Sequence, residues 1–263
     1  AISAICYRHG AVLIEDAAES LSATYKGRQT GTFGTYNAVS YNGNKLITTS
    51  GGGMLLSDDE EAIKKARFWS TQARDPAPWY QHSEIGYNYR MSNVIAGVVR
   101  GQLPYLDEHI AQKKVIYERY KEGFKELPVK MNPYVAESAP NFWLSCLLID
   151  EKAMCKQVRG EIESLFITEH GKSCPTEILN AISSINAEGR PIWKPMHMQP
   201  IYRTNPFVTA EGNGRARTNA YILGSCIDVG ADIFQRGLCL PSDNKMTPEQ
   251  QDRIIEVIRS CFE

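Results

Sequence analysis

The chain has 263 residues, 43% of them hydrophobic, and its 29 basic and 30 acidic side chains leave a formal charge of −1, enough length for one large or two modest domains with real cores. Balanced charge without a long basic run argues against nucleic acid or an anionic membrane as a main partner, and no apolar stretch approaches the roughly 20 residues that span a bilayer. Seven cysteines, scattered without C-x-x-C spacing or paired histidines, fit free thiols in a reducing cytoplasm rather than disulfides or a metal site.

Residues 1–9 read as the tail of a helix stopped by Gly10, and the Val12-Leu13-Ile14 run then reads as a buried strand, one arm of a βαβ unit. Asp16 ends that strand, where α/β sheets place their ligands. The Asp16-Ala17-Ala18-Glu19 run also suits a helix N-terminus, where the dipole favours acids. Both roles are open on these residues alone. Residues 22–35 are glycine-rich and read as a connector.

Ala38-Val39-Ser40-Tyr41 and Met54-Leu55-Leu56 are short apolar runs typical of buried strands. Between them lies the stretch that carries chemistry: Ser40, Asn42, Lys45 and the glycines Gly51 to Gly53. A surface lysine needs no such setting, whereas one that forms an imine with an aldehyde must lose its proton and meet a bound carbonyl in fixed geometry. Short hydroxyl and amide groups at Ser40 and Asn42 suit phosphate oxygens, and glycines allow a tight turn or close approach. A glycine-rich turn with an incidental lysine is the competing reading.

Residues 57–61 resemble a capping box opening a helix through Phe68. Residues 69–89 form a long aromatic loop, of the kind often functional in a compact protein. Ser92 caps the next helix, and residues 102–124 read as largely helical, with Leu103, Leu106, Ile110 and Tyr117 as an apolar stripe. A strand is expected at residues 142–149 and an amphipathic segment to about His170. A helix follows at residues 176–187. Residues 190–200 read either as an extended binding loop, with Trp193, Lys194 and His197 free to stack on or hydrogen-bond a ligand, or as a proline-stiffened loop packed on the core. The polar stretch 204–219, with Arg203, Arg215 and Arg217 beside or in it, reads as a surface loop. A strand and turn are expected at 234–242, then a last helix with Thr247 as N-cap and Pro248 in its first turn.

Three separated segments, in order, resemble the sugar-nucleotide aminotransferases of the DegT/DnrJ family. They are the acidic strand end at Asp16 and Glu19, the Ser40-x-x-x-x-Lys45-x-x-x-x-x-Gly51-Gly52 stretch, and Gly86-Tyr87-Asn88-Tyr89-Arg90-Met91. The resemblance runs from near residue 5 to the C-terminus. It implies an α/β chain of fold type I dependent on pyridoxal 5′-phosphate. Residues 1–105 would be part of the large cofactor-binding domain, and 106–263 a linking helix and a smaller C-terminal α+β domain. The family's upstream glycine-and-threonine phosphate loop and ring-stacking aromatic have no counterpart here, so the chain reads as a fragment. By resemblance Lys45 is the catalytic lysine, Asp16 the partner of the pyridinium nitrogen, and Glu19 a contact of the ring hydroxyl or substrate. Ser40 holds the phosphate, together with Asn88 reaching in from the second subunit of a homodimer with shared active sites.

The Arg190-Pro191-Ile192-Trp193-Lys194-Pro195-Met196-His197 segment resembles the branch acting on UDP-linked 4-keto-6-deoxy amino sugars. The implied reaction moves an amino group from an amino acid, usually glutamate in this family, to a keto sugar nucleotide for surface polysaccharide or glycan synthesis. Trp193, Lys194 and His197 are the substrate-side candidates. Dehydratase-type relatives carry histidine in place of the lysine, which argues against that activity. A non-catalytic or regulatory module on the same fold is the reading from another class.

Overall fold

A computed structural model describes residues 1–160, 162–202, 205, 207 and 228–263. The polar stretch expected as a surface loop at 204–219 lies outside them, apart from residues 205 and 207. The chain forms two units, residues 1–114 with 134–143, and residues 115–133 with 144–263.

In the first unit, helix α1 (Ile2–Arg8) stops before Gly10, whose φ of +62° few other residues adopt. Strand β1 (Ile14–Asp16) begins two residues later than the apolar run suggests and is not buried as expected: Ile14 is 71% exposed and Val12 before it 62%. The connector contains a small hairpin, β2 (Thr24–Tyr25) and β3 (Arg28–Gln29). Lys26 and Gly27, at φ +51° and +73°, form its left-handed two-residue turn. Glu15 secures the rest of the connector by accepting the Gly31 and Phe33 N–H groups, each at 2.7 Å.

Strands β4 (Tyr36–Ser40) and β5 (Gly53–Leu56) complete a sheet of order β1-β4-β5. β1 and β4 run parallel with Asp16 opposite Ala38, and β4 and β5 antiparallel with Ser40 opposite Gly53. Gly53 passes so close to the Val39 carbonyl that a Cβ has no room, so the glycine sets the spacing where the lysine stretch re-enters the sheet. Ala17, Val39, Tyr41, Ile47 and Val99 form this unit's buried core.

Helix α2 (Glu60–Ser70) starts at Asp59, whose carboxylate accepts the Ala62 N–H. Ser57, expected in a capping box, instead donates to the Thr35 carbonyl. Residues 69–89 fold back on α2: Tyr87 and Tyr89 stack at 5.1 Å, and Thr71 bridges Asn88. Ser92 caps helix α3 (Asn93–Gln102) as expected, and a 3₁₀ turn leads into α4 (Leu106–Gly123). After β6 (Val129–Met131), in the second unit, the chain returns to the first for β7 (Ser138–Ala139), which pairs with β2.

In the second unit, β6 joins β8 (Cys146–Ile149), β11 (Arg190–Pro191) and β12 (Gly237–Cys239) in a sheet of order β11-β12-β8-β6, antiparallel throughout. The strand expected from residue 142 starts only at Cys146, because Asn141, Phe142 and Trp143 belong to the first unit. The amphipathic segment up to His170 contains a hairpin of β9 (Gln157–Arg159) and β10 (Ser164–Phe166). Helix α5 (Pro175–Ser184) lies where the sequence predicts one. Phe234 to Arg236, expected in a strand, end helix α6 (Val229–Arg236), where Arg236 pairs with Asp232 one turn back. The last helix, α7 (Pro248–Ser260), opens with a full capping box between Thr247 and Gln250. Tyr120, Leu147, Ile178, Leu238 and Ile258 are buried at the centre of this unit's core.

Candidate active site

Asp16 closes β1 and Ser40 closes β4. Because these strands are parallel, both side chains lie at the carboxyl edge of the sheet, the edge where α/β proteins bind ligands. No helix starts at Asp16. Its Oδ1 accepts the Ala18 N–H at 3.1 Å and holds a turn.

Beyond Ser40 the chain turns so that the Lys45 N–H donates to the Asn42 carbonyl at 3.0 Å, and Leu46 and Ile47 drop into the core. Gln102 on α3 accepts the Thr48 N–H at 3.1 Å and donates to the Thr48 carbonyl at 2.7 Å. A ring nitrogen of His109 donates to the Leu46 carbonyl at 3.2 Å. The lysine stretch is therefore anchored by residues far along the chain as well as by its own glycines. Gly52, at φ +96° against Met91, makes the reversal.

The Lys45 side chain is 11% exposed. Its Nζ enters a pocket lined by Glu19, Ser40, Leu21, Asn141 and Trp143. The Glu19 carboxylate, half-exposed, lies 3.4 Å from Nζ, and the Trp143 ring centroid 4.2 Å from it. Ser40 Oγ accepts the Asn42 N–H at 3.2 Å, which leaves its hydroxyl hydrogen for a ligand oxygen. Of the residues singled out from sequence, the structure brings Lys45, Glu19 and Ser40 into one pocket, with Asp16 at the same sheet edge. This donor set fits a phosphorylated aromatic aldehyde: an amine for the carbonyl, a hydroxyl for the phosphate and a carboxylate for a ring nitrogen.

Asn88 is exposed on the aromatic segment and does not line this pocket. Trp193, Lys194 and His197 lie in the second unit, the first two between β11 and a 3₁₀ turn (Met196–Met198) and His197 within that turn. Trp193 is 55% exposed. The Lys194 carbonyl accepts from Gln199 at 3.2 Å. His197 Nε2 lies 2.6 Å from Asp228 Oδ2, and the other Asp228 oxygen caps α6 through the Ala231 N–H. One ring nitrogen of His197 is thus engaged inside its own unit.

The second unit also gathers Cys155, Cys174 and Glu177, with donor atoms within 4.8 Å of one another. Local folding explains the group: Cys174 Sγ caps α5, and the Glu177 carboxylate accepts from Ser173 Oγ and the Cys155 thiol. Burial pushes the Cys155 thiol up to about 12, the range of a protonated, hydrogen-bonding group.

Asn141 and Trp143 are the site residues that sequence reasoning missed. Asn-Phe-Trp ahead of an apolar run reads as the start of a strand, and nothing in its spacing points to a lysine nearly a hundred residues earlier.

Residues 1–259 match the family model described as the DegT/DnrJ/EryC1/StrS aminotransferase family. EpsN of Bacillus subtilis (strain 168), which carries the name of a pyridoxal phosphate-dependent aminotransferase, is 44% identical over 262 residues, 99% of this chain and 59% of its own length. A GDP-perosamine synthase of Caulobacter vibrioides is 29% identical over 97% of this chain and 60% of its own length. Among solved structures, Helicobacter pylori PseC, an aminotransferase involved in the biosynthesis of pseudoaminic acid, matches at TM-score 0.77 and 17% identity, over 99% of this chain and 62% of that one. At that identity the likeness shows the fold, the α/β fold type I that the sequence predicts. The chain spans about three fifths of the length of the curated relatives it matches, 59% for the first of them.

Proposed function

The chain belongs to the DegT/DnrJ/EryC1/StrS aminotransferase family, and from that premise we propose that the protein transfers an amino group from an amino acid to a keto sugar nucleotide with pyridoxal 5′-phosphate as cofactor. The observation that carries this reading is the largely buried Lys45 side chain in one pocket with Ser40 and Glu19, at the sheet edge that also bears Asp16.

When bound, the cofactor supplies an electron sink for the carbanion left when the donor amino acid loses its α-proton. Lys45 would hold the aldehyde end, and its free amine would take the proton from the donor carbon and return one. Asp16 would keep the ring nitrogen protonated by charge pairing. Glu19 would contact the ring oxygen, and Ser40 would donate to the phosphate.

The finer reading is a UDP-linked 4-keto-6-deoxy-N-acetylhexosamine as acceptor and glutamate as donor, serving surface polysaccharide or glycan synthesis in the cytoplasm. It rests on the Arg190–His197 segment, with Trp193 for stacking and Lys194 and His197 for the diphosphate or sugar hydroxyls. Among the described residues no helix is long and apolar enough to cross a membrane. The GDP-perosamine synthases among the relatives make a GDP-linked keto sugar the comparison that matters. The experiment is product analysis by mass spectrometry after incubating the whole protein, pyridoxal phosphate and glutamate with UDP-, dTDP- and GDP-linked keto sugars. Amination of the UDP sugar is expected. Amination of the GDP sugar alone would replace the finer reading, and no amination of any sugar would remove the coarser one.

The proposal includes a homodimer in which Asn88 of one subunit holds the phosphate in the other's site. Lys45→Ala and Asn88→Ala proteins, each inactive alone, should then recover activity when mixed. One site of each mixed dimer regains both groups, giving up to about a quarter of wild-type activity at full random exchange. No recovery despite confirmed subunit exchange would place Asn88 in its own subunit's site or outside any site.

A further inference from the structure

Two residues that no part of the reaction reading uses, Asn141 and Trp143, close one wall of the lysine pocket, with Phe142 between them in the chain. Asn141 is 7% exposed, and its side chain makes three hydrogen bonds. Its amide donates to the Glu19 carbonyl at 2.9 Å and the Leu21 carbonyl at 3.1 Å, and its Oδ1 accepts the Trp143 N–H at 3.1 Å. Trp143 is 8% exposed, and its indole N–H donates to the Asn44 carbonyl, the residue before Lys45, at 2.6 Å. Its ring faces Lys45 Nζ at 4.2 Å from the centroid. Phe142, between them, has φ +53°, a left-handed conformation that is a genuine outlier for a bulky side chain. Such strain persists only where the surroundings over-determine it, and it clusters at functional sites.

We propose that Trp143 is a positioning residue for the lysine amine. Its indole face and the Glu19 carboxylate fix where Lys45 Nζ lies, and Asn141 holds the Glu19 turn and Trp143 together. The inference rests on the reading of Lys45 as the amine that does the chemistry. Two contacts act on the lysine at once: the indole N–H grips the backbone beside it, and the ring face attracts the amine itself. A tryptophan that only filled space would need neither the polar bond nor the face-on geometry. The left-handed Phe142 explains how two residues, one on each side of it, both reach the pocket from a single short segment.

The test begins with cofactor-free protein, so that it does not depend on turnover. Trace acetylation with acetic anhydride is followed at Lys45 by peptide mass spectrometry, with the exposed Lys26 as internal reference. Loss of the ring in Trp143→Leu should speed Lys45 acetylation by about three- to tenfold, with Trp143→Phe in between because it keeps a weaker face. In protein loaded with pyridoxal phosphate, Trp143→Leu should lower kcat of the donor half-reaction about tenfold while KM for the donor stays the same. Equal Lys45 labelling in folded wild-type, Phe and Leu proteins would overturn the proposal, as would identical behaviour of the Phe and Leu variants. Should Trp143→Leu not fold, Trp143→Phe decides alone, since it lacks the bond to Asn44: faster labelling supports the proposal and unchanged labelling overturns it. Altered labelling without any transamination in loaded wild-type protein would leave the positioning intact and remove the aminotransferase reading instead.

Discussion

The whole protein carrying Lys45→Ala should lose amino transfer by about three to four powers of ten, the scale expected when a group serving as both covalent anchor and proton carrier is removed. The fold should survive. The salt bridge to Glu19 has a half-exposed partner, and such pairs contribute about 0–1 kcal/mol. The backbone of the stretch is held independently through Gln102 and His109. Thermal unfolding should therefore be nearly unchanged while activity disappears. A second measurement reads the lysine directly: borohydride treatment of the loaded wild-type protein should leave a cofactor mass on the peptide containing Lys45, and none on Lys45→Ala. Normal turnover in the variant, with excess pyridoxal phosphate and no added amine, would sink the assignment. It would also revive the incidental lysine in a glycine-rich turn.

Asp16→Asn should leave cofactor binding in place and slow the donor half-reaction by about two to four powers of ten, because the charge that keeps the ring nitrogen protonated is what delocalises the carbanion. The substitution is clean for a structural reason. The Asp16 side chain accepts the Ala18 N–H through Oδ1 at 3.1 Å, and an asparagine Oδ1 accepts it equally well. The turn at the end of β1 should persist, and only the charge is lost. Stopped-flow measurement of the donor half-reaction, with cofactor affinity as a control, separates the two roles. An unchanged rate would reduce Asp16 to the residue that holds this turn.

Much of the site was legible in the sequence because its parts are local. Asp16 and Glu19 follow one apolar run, and Ser40, Lys45 and Gly52 lie within one stretch. A strand end and a glycine turn dictate their own backbone geometry. Helix ends were equally legible. Ser92 and Thr247 each accept a backbone N–H three positions on, and Pro248 suits the first turn because its ring fixes φ and it lacks an N–H, so a short window of sequence contains the whole effect. Where a competing acceptor lies farther away, the local signal fails. Ser57 is drawn to the Thr35 carbonyl and leaves the cap to Asp59.

The sequence by itself determined the family and the α/β class, and it marked the lysine, the acids and the hydroxyl proposed for the chemistry. These follow from short-range patterns that survive whatever the rest of the chain does. Only the tertiary structure decided that residues 134–143 return to the first unit, that Asn141 ties Glu19 and Leu21 together, and that the Trp143 ring faces Lys45. It also decided that one ring nitrogen of His197 is engaged by Asp228. Each of these contacts joins residues 31 to 122 positions apart. The free energy of such a contact comes from burying and satisfying polar groups together, a property of the packed chain that no local run of residues encodes.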